Sequence, residues 1–127
     1  QINPFIKFQG LEFFGVYEMT NNGEETESGA EVGGSFTQIG AEAIYRFGGR
    51  EQLYLGGRYN AVSGEQTETA ATREINRLNL GGGWYLTKNI LTKVEYVSQT
   101  YKGDGFSSSD FQGAEFNGLV IEAVIGF

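Results

Sequence analysis

Taken in steps of two from its end, the chain gives Phe127, Ile125, Ala123, Ile121 and Leu119, all apolar, while Glu122 lies among the residues between them. A period of two belongs to a β-strand whose faces meet different surroundings. The same alternation predicts six strands, over residues 5–19, 35–47, 52–63, 75–86, 90–101 and 116–127. Clusters of Gly, Asn, Ser or Thr separate them. No segment carries a helical period, and no boundary divides residues 1–127, so the expectation is a single all-β unit.

Within each predicted strand one parity is apolar and the other holds the charges. Ile39, Ala41, Ala43, Tyr45 and Phe47 oppose Gln38, Glu42 and Arg46. Leu53, Leu55, Gly57, Tyr59 and Ala61 oppose Gln52, Arg58 and Asn60. Leu78, Leu80, Gly82, Trp84 and Leu86 oppose Arg77, Asn79 and Tyr85, and Ile90, Thr92, Val94 and Tyr96 oppose Lys93 and Glu95. In the first strand Leu11, Phe13, Gly15 and Tyr17 oppose Glu12 and Glu18, but Lys7 falls on the apolar parity. Either a bulge near Gly10 resets the face, or Lys7 snorkels to a nearby interface.

The connections alternate in length. "GGRE" at 48–51 and "TKN" at 87–89 are tight, whereas the other three are long and polar. Brief turns on one side and long loops on the other are the wiring of an up-and-down outer-membrane barrel. Counted back from the end, this wiring places the C-terminus, and also the start of the first strand, on the short-turn side.

Composition narrows the choice. There is no Cys and no His, which removes disulfides, thiolate metal sites, the commonest metal ligand and the commonest general base. A Ser-His catalytic site is therefore excluded within these residues, and the chain is not expected to be an enzyme or to hold a cofactor or metal. "DGFSSSD" lacks the alternating oxygen ligands of a calcium loop. A net charge of −7 speaks against binding nucleic acid. Twenty glycines and seventeen Phe or Tyr residues against one proline favour twisted sheet. No run reaches the roughly 20 apolar residues of a membrane helix, but alternation in a membrane barrel averages to the same mildly polar hydropathy.

Charge placement gives the sharpest pattern. Arg50 and Lys88 are in short turns, Arg73 and Lys102 are in long loops, and Arg46, Arg58, Arg77 and Lys93 share the polar parity. A cation facing lipid at mid-bilayer costs about 2–4 kcal/mol, so a membrane barrel excludes it. A soluble sandwich would also keep charges from its core, with its polar face outward. Tyr45, Phe47, Trp84 and Phe127 lie near short-turn ends. They read as an aromatic girdle at a membrane interface, or as ordinary core aromatics.

The ending "GLVIEAVIGF" resembles the C-terminal assembly signal of Gram-negative outer-membrane barrels, with Leu119, Ile121, Ala123, Ile125 and Phe127 at the matching positions. In that family the barrel-assembly machinery recognises the last strand, which then closes on the first. "RLNLGGGWYLTKNILTKVEYVSQTY" at 77–101 looks like the late hairpins of porins, including the phosphate-selective type, and "GLEFFGVYE" at 10–18 has a similar character. Phosphate selectivity does not carry across, because it needs an inward basic ladder. Here Arg46, Arg58, Arg77 and Lys93 share their face with Glu12, Glu42, Glu95 and Glu122.

The resemblance implies an outer-membrane location in a Gram-negative bacterium, the lipid bilayer as partner, and a channel for passive diffusion of small hydrophilic solutes. Its candidate pore-lining residues are Glu42, Arg46, Arg58, Arg77, Lys93, Glu95 and Glu122. Single-chain barrels of this kind begin at eight strands. Six strands therefore predict a segment of a larger barrel, completed by preceding strands or by other subunits, unless the first strand is really two. A structural or docking barrel within an envelope complex is the alternative, with Glu24, Glu25, Glu27 and Glu31 of the first loop available to cations or a partner.

Overall fold

A computed structural model describes residues 1–21, 33–66 and 70–126. Its strands are β1 (Phe5–Phe8), β2 (Leu11–Asn21), β3 (Ser35–Phe47), β4 (Leu53–Glu65), β5 (Arg73–Thr87), β6 (Ile90–Lys102) and β7 (Glu115–Ile125). They form one seven-stranded sheet in the order β1-β2-β3-β4-β5-β6-β7, every pair antiparallel. A 3-10 turn, Asp104–Phe106, lies in the β6–β7 connection. Among the described residues β1 pairs only with β2 and β7 only with β6, so the sheet is open.

The expected first strand over 5–19 is two strands, and the total among the described residues is seven rather than six. The break is at Gln9 and Gly10, with φ of 45° and 82°. Two consecutive left-handed residues reverse the chain in a two-residue hairpin. This resolves the misplaced lysine. Lys7 pairs across the hairpin with Glu12 and so stands on the polar face. The hairpin also corrects the orientation. β1 runs down to a short turn, so its start lies toward the long loops, where Ile2 bridges Tyr17. The other strands match their expected spans to within two residues at each end, and Phe127 lies outside the described residues.

Directly paired residues share a face, so the register assigns every side chain. A long row of exact pairings from β2 to β7 is interrupted only between Tyr85 and Thr87, where Leu86 is bulged. Among the described residues the sheet has no second layer. Val97 and Phe106 are the only buried apolar side chains among the described residues, while Leu55, Leu80, Ile121 and Trp84 are all at least half exposed. An ordinary domain of this size covers such residues with another layer of sheet or helix.

Gly10 couples the first hairpin to the sheet. Arg46 N donates to Gly10 O at 2.8 Å, and a Cβ on Gly10 would meet the Arg46 carbonyl oxygen at 2.6 Å. We predict that Gly10→Val, which adds both this clash and an unfavourable φ, lowers stability by about 1–3 kcal/mol. The expected readout is a lower denaturant midpoint together with faster proteolysis between β1 and β2.

Candidate functional site

The two faces of the sheet are chemically distinct. One carries Leu11, Phe13, Gly15, Tyr17 and Met19 of β2, and the register extends it through Ile39–Phe47, Leu53–Ala61, Leu78–Trp84, Ile90–Tyr96 and Leu119–Ile125 in alternate positions. Among the described residues no Asp, Glu, Lys or Arg falls on this face within those spans. Thr92 is its polar exception in β6, and its hydroxyl donates to Trp84 O at 3.3 Å. Above the band, toward the long loops, the next residue of each strand is polar and uncharged: Asn21, Thr37, Ser63, Asn76, Ser98 and Asn117.

That boundary is oblique to the hydrogen-bond rows. The uppermost apolar residues are Met19, Ile39, Ala61, Leu78, Tyr96 and Leu119. Traced through the pairing onto β4, they fall opposite or at Ser63, Ala61, Ala61, Tyr59, Gly57 and Gly57. The edge of the band thus descends six residues, from 63 to 57, over five strand steps. At about 3.4 Å per residue and 4.8 Å per strand this is about 20 Å down for 24 Å across, a slope of about 40°. A band of this slope is level when the strands tilt by the same angle, which is within the tilt range of membrane barrels. Its extent along β4, from Leu53 to Ala61, is about 27 Å of strand, or about 21 Å vertically at that tilt. Membrane barrels have an apolar band of about 25 Å.

Aromatic rings mark both borders. Tyr45, Phe47 and Trp84 stand on the apolar face toward the short turns, with the Tyr45 and Phe47 rings stacked at 6.1 Å. Phe127, expected beside them, lies outside the described residues. The sequence reading missed a second row toward the long loops. Tyr59 donates to Asn76 Oδ1 at 3.0 Å, Tyr96 to Asn117 Oδ1 at 2.8 Å, and Tyr17 OH reaches Met19 Sδ at 2.9 Å. Each ring lies in the band and two of the three hydroxyls reach the polar border. The signal was present in the sequence as Tyr followed, across the strand pair, by Asn.

The opposite face holds all seven residues expected to line a lumen: Glu42, Arg46, Arg58, Arg77, Lys93, Glu95 and Glu122. The structure joins them in pairs. Arg58 Nη2 lies 2.5 Å from Glu42 Oε2, and Lys93 Nζ lies 2.7 Å from Glu122 Oε2. Toward the short turns Glu12 accepts from Lys7 at 2.7 Å and from Arg46 at 3.4 Å. Arg77 and Glu95 are linked through a residue not anticipated: Arg77 Nε donates to Asn79 Oδ1 at 3.1 Å, and Asn79 Nδ2 donates to Glu95. An uncharged side chain on the charged parity carried no separate sequence signal. No side chains on this face, among the described residues, form a metal-binding group.

Glycines shape the same face. Gly56 pairs with Gly81, and Gly83 pairs with Tyr54. The Tyr54 ring occupies the space a Gly83 side chain would need. From there Tyr54 meets Tyr85 at 6.4 Å and Arg46 at 5.9 Å. The glycines leave a hollow of about 300 Å³ bordered by Glu42, Arg58, Asn79, Lys93 and Glu95. At the long-loop end the β6–β7 connection turns onto this face. The Phe106 ring packs edge-on against Tyr101 at 5.8 Å and under the Arg73 guanidinium at 5.4 Å, and Arg73 Nε donates to Gly105 O at 2.9 Å.

The four positions of the expected assembly signal that are described, Leu119, Ile121, Ala123 and Ile125, all stand on the apolar face of β7. The acidic residues Glu24, Glu25, Glu27 and Glu31 lie outside the described residues. Comparison with family models, curated proteins and solved structures finds no match.

We predict that Gly83→Val displaces the Tyr54 ring and costs about 1–3 kcal/mol, the usual penalty of overpacking. Lowered stability with loss of the tyrosine near-ultraviolet signal is the expected result. Gly49→Val is the control, since a Cβ at Gly49 meets nothing within 4 Å.

Proposed function

We propose that this chain forms part of the wall of a membrane β-barrel of the outer-membrane type, with the apolar face toward lipid and the charged face toward a water-filled lumen. Its function in this reading is that of a porin-like channel for passive diffusion of small hydrophilic solutes. The observation that carries it is the apolar band. It is free of charge among the described residues, has aromatic rows at both borders, and slopes by the angle at which membrane strands tilt. A water-soluble sandwich has no reason to confine its apolar residues to such a band, nor to end it in tyrosines that reach polar neighbours.

The lumen side suits a pore of low charge selectivity. Its cations and carboxylates alternate across strands and largely neutralise one another. A lining of this kind lets ions of either sign approach, unlike a ring of one sign. The localisation is then the outer membrane of a Gram-negative bacterium, and the partners are the bilayer and the barrel-assembly machinery. The same mutual neutralisation favours a second reading, in which the interior is structural and the barrel serves as a docking subunit of an envelope complex.

Two measurements test these readings. Leu80 stands at mid-band and Asn79 on the charged face. Leu80→Lys is expected to cost about 2–4 kcal/mol in folded stability in lipid, and Asn79→Lys far less. Equal tolerance of both would remove the membrane assignment. In planar bilayers the channel reading expects steady conductance with weak ion preference. A barrel that inserts but does not conduct would leave the docking reading in its place.

A further inference from the structure

Among the described residues both edges of the sheet are open hydrogen-bonding edges, and their directions restrict what can fill them. Tyr101 N donates to Ala114 O at 3.0 Å and Gly126 N to Asn89 O at 2.8 Å. In an antiparallel pair the bonding alternates residue by residue. Even-numbered residues of β7 therefore bond inward to β6. Leu119, Ile121, Ala123 and Ile125 turn their N–H and C=O groups away from the sheet. That edge runs without proline or bulge along β7. On β1, Ile2 exchanges both bonds with Tyr17 at 2.8 and 2.9 Å, and Pro4 O accepts from Gly15 at 2.9 Å. The missing N–H of Pro4 thus falls on the β2 side. It does not blunt the outer edge, where Asn3, Phe5 and Lys7 present their backbone groups.

Natural sheets blunt or cover such edges, because a long, regular, apolar edge recruits other strands. In a membrane the requirement is stricter, since an unpaired backbone group in hydrocarbon costs several kcal/mol. The two edges cannot simply pair with each other in the antiparallel pattern of the sheet. The meander has seven strands, so β1 and β7 run in the same direction, toward the short turns. Closing β7 on β1 would make a parallel pair. A ring of copies in one orientation meets the same obstacle at every junction. A two-fold pair could join β7 to β7, but it would need identical chains inserted in opposite orientations.

We propose that β7 and β1 are bridged by an odd number of further antiparallel strands, carried by the same polypeptide outside residues 1–127. An odd number restores antiparallel pairing at both junctions. A covalently joined bridge needs only one seam to form between distant strands, whereas a separate chain must form two and lose its translational freedom. The bridging strands share the alternation of this sheet, with apolar residues facing outward and polar or small residues facing inward, and they continue its slope. This inference rests on the barrel reading only for the outward chemistry of those strands. The parity argument holds for any closed antiparallel sheet.

The test is hydrogen exchange on the whole polypeptide purified unheated from its source, combined with its intact mass and copy number per particle. If β7 is paired on both sides, the amides of Leu119, Ile121 and Ala123 exchange within about tenfold of those of Val120, Glu122 and Val124. If the edge is free, the odd-numbered amides exchange at least about a hundredfold faster, and the inference falls. The expected mass exceeds 13.9 kDa, with one copy per particle. Protected amides in a particle built from several 127-residue copies, or from a different polypeptide, would equally overturn it. Ile121→Pro removes one outward N–H and leaves the β6 ladder intact. It is expected to abolish the heat-modifiable folded form, and its tolerance would show a free edge. Uniform protection in a protein soluble without detergent would remove the membrane reading and leave the strand bridge standing. Free edges in a membrane-inserted protein would do the reverse.

Discussion

The organising constraint here is a sheet one layer thick whose two faces need different surroundings. A β-strand sends alternate side chains to opposite sides, and this chain uses that alternation to sort nearly all its charges from its apolar residues. A sandwich or an α/β fold would then cover the apolar side with protein. Among the described residues nothing does, and Ile121 of β7, at 75% exposed, is the most exposed of the large apolar side chains. The burial that stabilises ordinary domains is absent from the sheet itself. In the membrane reading proposed above it comes from outside, from a hydrocarbon medium that accepts an apolar face while leaving the charged face to water.

That constraint accounts for details that would otherwise be unrelated. The tyrosines of the upper row have their rings in the band, and Tyr59 and Tyr96 reach Asn76 and Asn117 at its border. The glycines on the charged face leave room for a ring laid across the strands, as Tyr54 lies over Gly83. The ion pairs follow from the same geometry. Once charges are confined to one side of a sheet, cross-strand neighbours of opposite sign, such as Glu42 and Arg58, fall opposite each other. Each such pair contributes little in water-exposed surroundings, about 0–1 kcal/mol. Their larger effect is to cancel charge along a face on which all of them are gathered.

Much of this was legible in the sequence, and the reason is periodicity. The five strands from β3 to β7 have alternating faces that survive any error of a residue or two at their ends. That the seven candidate residues share one face was readable from parity alone. The first hairpin was not. Gln9 and Gly10 form a turn of two residues inside what reads as one long run, and a Gln at positive φ carries almost no sequence signature. Missing it shifted Lys7 to the wrong face and reversed the inferred position of the chain's start. Asn79 was missed for a different reason. Its role depends on which side chains lie across the sheet from it, and register is a tertiary property that one strand does not encode.

The slope of the band shows what register adds. Along any single strand the apolar run simply ends, at Met19, Ala61 or Leu119, with no information about neighbours. Only when the strands are set side by side does the boundary become a line, and only then does the line acquire an angle. A horizontal boundary would describe strands standing upright, which a closed antiparallel barrel cannot have, since closure requires stagger. In the barrel reading, the six-residue descent from β2 to β7 is that stagger, written on the apolar side. It belongs to the seven strands together, and it constrains any strand added to them to continue the same descent.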